Sequence, residues 1–420
     1  MKCNAWTLGL LSAGVVSLPA IIQAEEKPSS LLTALSATTI SGYVDTSAQW
    51  NMNTGNANVP DYAFGGPGKA DGFNLNVVKL SIEKPVDSAD AWGAGYKVDL
   101  LFGPDANALA TQSTGVAGDF AVKQAYVALH APVGNGLDFK LGVWDTIIGY
   151  EVFESINNPN VTRSYGYSVE PTTHTGLQAA YQFSEQFSAT VGVANTFGPT
   201  INGRAFLNGG TIVPPPPANQ GPRSESYKTW MASATYTAPT NWGILGGSTL
   251  SAAVINGFNK SSPSAGNAAG AAPADQTSFY VGGTFNTPIT GLKVGASYDY
   301  VSVEQQALTS PTPPPGYAPV TAHGHTDVVG GYASYQLTEK MSIYGRGEYA
   351  WSSVPGTFLA KNVVEGTLTL QYDLWKNVLS RLEFRWDHAT DGTTPFGGEV
   401  AGAGVRSDSY ILLANLAYKF

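Results

Sequence analysis

Residues 378–388 read VLSRLEFRWDH, and their alternation decides the fold. Apart from Ser380, the side chains of Val378, Leu382, Phe384 and Trp386 fall on one face of an extended chain. Arg381, Glu383, Arg385 and Asp387 fall on the other, because successive strand residues point to opposite sides. A helix would scatter the four charges around its circumference, whereas a strand gathers them on one wall. Taken alone, this wall suits either the solvent face of a soluble sandwich or the wet interior of a membrane barrel.

The same period recurs in both directions along the chain. Trp92, Ala94, Tyr96, Val98, Leu100 and Phe102 alternate with Gly93, Gly95, Lys97 and Asp99. Met341, Ile343, Tyr349 and Trp351 alternate with Ser342, Arg346 and Glu348, and Leu368, Leu370 and Tyr372 with Thr367, Thr369 and Gln371. Aromatic residues such as Trp50, Trp92, Phe102, Trp351, Tyr372 and Trp386 sit near strand ends, as in the aromatic belts of membrane barrels.

About 16 strands are predicted. They lie near 38–52, 72–84, 90–103, 118–131, 136–147, 173–184, 187–198, 226–238, 243–257, 275–288, 291–303, 324–337, 340–352, 360–373, 378–390 and 408–420. Their connections alternate between short and long. Pro132–Asn135, Ser184–Gln186, Thr287–Thr290 and Thr338–Lys340 are short. Segments 199–225, 258–274 and 304–323 are long and rich in Pro, Gly, Asn, Ala and Ser. A sandwich has no reason to alternate loop lengths around the whole chain. An up-and-down antiparallel β-barrel with both termini in the periplasm requires it. The last strand puts Tyr410, Leu412, Ala414, Leu416, Tyr418 and Phe420 on one face. A terminal aromatic on that face is similar to the signal that outer-membrane barrels present to their assembly machinery.

Composition agrees. Only 13% of the 420 residues are charged, against about 25% in a soluble domain, and mean hydropathy is close to zero. Lys2, the apolar run Trp6–Leu18 and the small residue Ala24 read as a signal peptide over residues 1–24. Residues 25–37 read as a short N-terminal periplasmic segment and 38–420 as the transmembrane barrel. Residues 25–420 contain no cysteine, so neither a disulfide nor a thiolate site is expected there. Losing Lys2 from the 22 basic residues takes the net charge from -9 to -10. With no basic run, that balance argues against nucleic acid as a partner. The expected location is the outer membrane of a Gram-negative bacterium, in contact with its lipid.

One stretch is more specific. Residues 122–176 read VKQAYVALHAPVGNGLDFKLGVWDTIIGYEVFESINNPNVTRSYGYSVEPTTHTG, and 73–85 read FNLNVVKLSIEKP. The Gln124–Ala125–Tyr126 strand, the Gly134 and Gly136 turn, the Gly149–Tyr150–Glu151 step and the Pro171, His174, Thr175, Gly176 exit resemble the OmpL-like β-barrel porins of the second type. The place after Gly142, where that family often carries a basic residue, is Val143. The resemblance implies a passive, water-filled channel for small polar solutes and ions, with no cofactor and no catalysis. Trimers are common among porins of this size, although no residue pattern here marks an interface.

In a channel the working residues are those that narrow the lumen and set its field. Segment 148–172 is the third long loop, a loop that folds into the barrel in many porins. It carries Glu151, Glu154, Arg163 and Glu170. The strands offer inward Lys97, Asp99, Lys140, Arg346, Glu348, Arg381, Glu383 and Arg385. An acidic loop against a basic wall would set a transverse field on passing solutes. The alternative is that the wall charges pair across the strand ladder and keep the lumen wet. A metal at His323, His325 and Asp327 is not expected, since metal sites converge three or four ligands. Ser168 and His174 could be a nucleophile and base, but no nucleophile motif surrounds them. A selective channel and an outer-membrane enzyme stand as the other readings. A tether would be expected to carry an extra periplasmic domain and a gated transporter a plug, and neither is expected in the short segment between Ala24 and the first strand.

Overall fold

The computed structural model describes residues 37–420 except 53–54, 56, 61–68, 70, 87–91, 114–117, 205–226, 259–274, 307–320 and 354–357. Side chains of 303–306 and 321–323 are also left aside. The signal-peptide reading, most of the N-terminal segment and much of the three Pro- and Gly-rich loops lie outside the described residues.

Sixteen antiparallel strands close on themselves. They are β1 (Thr39–Met52), β2 (Gly72–Lys84), β3 (Gly93–Phe102), β4 (Phe120–Ala131), β5 (Leu137–Asp145), β6 (Thr173–Gln182), β7 (Phe187–Ala194) and β8 (Thr229–Thr237). There follow β9 (Thr249–Phe258), β10 (Asp275–Asn286), β11 (Leu292–Gln306), β12 (Thr321–Gln336), β13 (Met341–Ser352), β14 (Asn362–Trp375), β15 (Val378–Ala389) and β16 (Asp408–Lys419). Each strand pairs with its sequence neighbours, and β1 pairs with β16 from Tyr43 opposite Lys419 to Met52 opposite Tyr410. Gly42 and Phe420 exchange backbone hydrogen bonds of 3.0 Å each, which fixes the C-terminal residue at the seam. Closure leaves no unpaired edge, the condition for β-structure in lipid.

Burial resolves the ambiguity of the β15 pattern. Leu382 and Phe384 are 50% and 41% exposed, while Arg381, Glu383, Arg385 and Asp387 are at most 3% exposed. The apolar face is outside and the charged face inside, the inverse of a soluble sandwich. Phe73, Trp92, Trp230, Trp375, Leu416 and Tyr418 are exposed on the same outer surface. Such a surface is stable only against lipid.

Short and long connections segregate to opposite ends. The β14–β15 turn is only Lys376–Asn377, with Asn377 at φ 66°. At the long-loop end a short helix, α1 (Pro104–Leu109), and another, α2 (Tyr165–Val169), interrupt the loops. Their five or six residues are too few to show a helical period in sequence.

One glycine is tied to its backbone. Gly142 has φ +137°, and a Cβ there would meet the Ala125 carbonyl and sit 2.9 Å from the Tyr126 Cα. Val143, which follows it, is buried. Gly142→Ala is therefore expected to destabilise the barrel by about 1–3 kcal/mol. Gly345→Ala, where a Cβ meets nothing within 4 Å, should change little. Urea unfolding of both variants in detergent checks the contrast.

Candidate functional site

The β5–β6 connection turns into the barrel instead of projecting outward. Its base is closed by Thr146 N–H donating to the Thr172 carbonyl at 3.0 Å. Trp144, Ile147 and Ile148 then pack against Tyr126, Met231, Ile255 and Tyr280. Tyr150 crosses to the far wall, where it stacks on Tyr332 at 3.8 Å and its hydroxyl meets Thr284 Oγ1 at 3.0 Å.

From Glu151 onward the loop is held by charged side chains. Glu151 accepts from Arg346 at 2.8 Å and from the Ser164 N–H at 2.8 Å. Glu154 is gripped by Lys79 at 2.6 Å and Lys123 at 3.2 Å. Lys79 also meets Asp99 at 3.0 Å, and Lys123 meets Asp145 at 2.5 Å. Burial raises the Glu154 pKa, but the two ammonium groups outweigh it and hold the carboxyl below its ordinary range. Further along, Ser155 donates to Asp45, and Arg381 donates to the carbonyls of Ser155 at 2.8 Å and Asn158 at 3.1 Å.

The middle of the loop binds β13–β15 through its backbone. Glu383 accepts from the N–H groups of Val161 and Thr162, the latter at 2.8 Å. Glu348 accepts from Tyr165 N–H at 2.7 Å and Gly166 N–H at 3.1 Å, the first turn of α2. Arg346 donates to the Thr162 carbonyl at 2.8 Å and Arg385 to the Arg163 carbonyl at 2.6 Å. Arg346 also contacts Glu365 at 3.2 Å, and Arg385 meets Asp387 at 2.8 Å. Tyr165 completes the set by donating its hydroxyl to Asp387 at 2.8 Å. An irregular segment inside a barrel needs its backbone groups satisfied by protein or by lumen water. Here wall carboxylates take its N–H groups and wall guanidiniums take its carbonyls.

The arrangement differs from an acidic loop against a basic wall. Arg346, Arg381 and Arg385 stand among Glu348, Glu365, Glu383 and Asp387, so charge is compensated locally and the wall is not basic. Buried charges are tolerated when paired in this way. Arg163 turns back on its own loop, donating to the Val161 carbonyl at 2.7 Å and lying over the Tyr167 ring at 5.7 Å. Lys97 pairs with Glu83 at 3.1 Å across the ladder, and Lys140 lies over the Tyr126 ring at 5.1 Å. The sequence reading left Lys79, Lys123, Asp145 and Glu365 out of this network. Alternation with the outward Leu368 and Leu370 marks Glu365. Register breaks in β2 and β4 instead bring Lys79 and Lys123 inside, out of phase with the outward Leu75 and Val127.

Ser168 donates to the Tyr165 carbonyl at 2.7 Å and His174 meets Thr146 Oγ1 at 3.2 Å, so each is bonded within its own segment. His325 and Asp327 are 3.8 Å apart, and among the described residues no three His, Cys, Asp or Glu side chains converge on a metal position.

Glu170 closes the loop beside Asp299, with which it shares a side-chain hydrogen bond. Burial, and then the Asp299 carboxylate, push the Glu170 carboxyl well above the ordinary carboxylate range. The folded state thus keeps a proton that the unfolded chain releases. The resulting stabilisation is full below the ordinary carboxylate range and is lost as pH rises through the folded value. Stability should therefore decline as pH rises above the ordinary carboxylate range, about pH 4–5, and Glu170→Gln should flatten that decline. Unfolding midpoints of both proteins across this range give the check.

The family described as "Putative beta-barrel porin-2, OmpL-like" matches residues 37–420. A comparison with curated proteins yields no match. Among solved structures, the chain is similar to an anion-selective porin from Comamonas acidovorans, at 13% identity and TM-score 0.60, covering 91% of this chain and 99% of that one. It is similar to the outer-membrane channel DcaP of Acinetobacter baumannii, at 15% identity and TM-score 0.55, covering 91% and 97%. It is also similar to the trimer form of the Vibrio cholerae outer-membrane protein OmpT, at 13% identity and TM-score 0.52, covering 91% and 99%. At such identities the structural likeness establishes the fold.

Proposed function

Since the chain belongs to the OmpL-like β-barrel porin-2 family and is an outer-membrane porin, we propose that it is a passive, water-filled diffusion channel for small polar solutes, with the 146–172 loop as its constriction. The observation that carries this reading is the loop itself. It lies within a barrel of 16 strands, a size at which the lumen is wide enough for an aqueous channel. Glu151, Glu154, Arg346, Glu348, Arg381, Glu383 and Arg385 act in this reading by holding the loop in place. Asp99 acts through Lys79. Lys97 pairs with Glu83, Lys140 lies over the Tyr126 ring and Arg163 bonds its own loop, and in this reading the three shape the lumen beside the loop anchors.

Family and fold indicate a channel, and the absence of catalytic activity belongs to the proposal. So do the signal peptide over 1–24, the periplasmic segment 25–37, recognition of the C-terminal strand by the assembly machinery and contact with outer-membrane lipid. A homotrimer is the assembly we favour, supported by the trimeric form of OmpT. The test is single-channel recording of the purified, refolded protein in a planar lipid bilayer. Stable stepwise openings are expected. A folded barrel that never conducts would overturn the proposal.

A further inference from the structure

The charges of the inner wall are confined to one side. Strands β6–β10 contain 49 residues, from lengths of 10, 8, 9, 10 and 12, and only one is charged. That one, Asp275, sits at the first position of β10 in phase with the outward Phe279 and Val281. Strands β13–β15 contain eight charged residues among 38, from lengths of 12, 14 and 12. Seven of the eight are buried.

The uncharged side carries hydroxyls in register. Ser188 and Thr190 of β7 face Thr235 and Ser233 of β8, and Thr235 faces Ser251 of β9. Thr235 and Ser251 are joined at 2.9 Å. Their strand neighbours Phe187, Val191, Trp230 and Leu250 are the exposed outer residues, so these hydroxyls point inward. All are half-buried, unlike the buried charges opposite. They lie on the short-turn side of Met231 and Ile255, where Ile147 and Ile148 pack.

Resting on the porin reading above, we infer that this wall is a selectivity surface for uncharged, polyhydroxylated solutes, sugars or sugar alcohols. Each Ser or Thr hydroxyl both donates and accepts, so it can replace water on a solute hydroxyl in either orientation. Strands about 4.8 Å apart place such groups side by side along the path. A charged solute finds no equivalent. It sheds hydration in the narrow lumen, while the opposite charges are already committed to the loop. The pore therefore carries neutral polyols faster than ions of matched size and discriminates weakly between small cations and anions.

The experiment is swelling of liposomes containing the full mature protein, comparing glucose with sodium gluconate, together with potassium chloride conductance and reversal potential. Glucose is expected to enter several-fold faster than gluconate, with a reversal potential near zero. Thr235→Val with Ser251→Ala should slow glucose several-fold and leave potassium chloride conductance unchanged. Thr235→Asp should shift the reversal potential toward cations. Heat-dependent gel mobility confirms folding first, and Thr190→Val with Ser233→Ala replaces the pair if it does not fold. Gluconate entering as fast as glucose, or glucose flux indifferent to the lost hydroxyls, overturns the inference. Passage of neither solute nor potassium chloride would instead overturn the porin reading.

Discussion

Arg346→Met is expected to destabilise the barrel by about 3–5 kcal/mol, because it breaks a buried ion pair and leaves its partners uncompensated. The Arg346 guanidinium contacts Glu151 at 2.8 Å, Glu365 at 3.2 Å and Glu348 at 3.6 Å, and all four side chains are fully buried. It also donates to the Thr162 carbonyl, so the same substitution loosens the loop from β13. Conductance should become noisy, with sublevels as the loop detaches and rebinds. Adding Glu151→Gln removes one orphaned carboxylate, and the double variant should recover part of the loss. Urea unfolding of the four proteins in a double-mutant cycle measures that coupling. Equal costs in the presence and absence of Glu151 would show that the pair is not the loop's main anchor.

Excising residues 152–167 and closing the gap with glycines should raise single-channel conductance several-fold. The base of the loop, where Thr146 bonds Thr172, survives the cut, as do all sixteen strands. The removed segment supplies the backbone groups now bound by Glu348, Arg381, Glu383 and Arg385. Water entering the widened lumen would solvate those side chains, so the stability cost should be smaller than for Arg346→Met, where charge stays buried and unmatched. The exclusion limit for neutral sugars should rise with the conductance. Unchanged conductance would mean that the loop does not set the narrowest point.

The sixteen strands were legible in sequence because alternation is local. Strand β15 needs only its own residues to separate Arg381 and Glu383 from Leu382 and Phe384. Strand ends were less so. The seventh strand, read as 187–198, stops at Ala194, with a further backbone bond from Asn195 to Thr175. The helices α1 and α2 left no periodic trace. For the site, the inward charges were legible and their partners were not. Glu383 binds Thr162, 221 residues away, and Arg381 binds Ser155, 226 residues away. Nothing in a strand's own pattern says whether its charges face water or another segment's backbone. The expected acidic loop and basic wall became a mixed wall for that reason. Its carboxylates serve N–H groups, a demand set by the loop's irregular backbone and not by its side chains.

Cysteine accessibility during single-channel recording locates the permeation path. Residues 25–420 contain no cysteine, so each introduced thiol stands alone. Thr235→Cys lies on the hydroxyl wall, and Thr369→Cys lies under the loop, at a fully buried position where Asn160 donates to Thr369 at 2.7 Å. A charged thiosulfonate reagent is predicted to cut the current stepwise in the Thr235 variant and to leave the Thr369 variant unchanged. Block at position 369 with silence at 235 would contradict the account, because the path would then run along the charged wall.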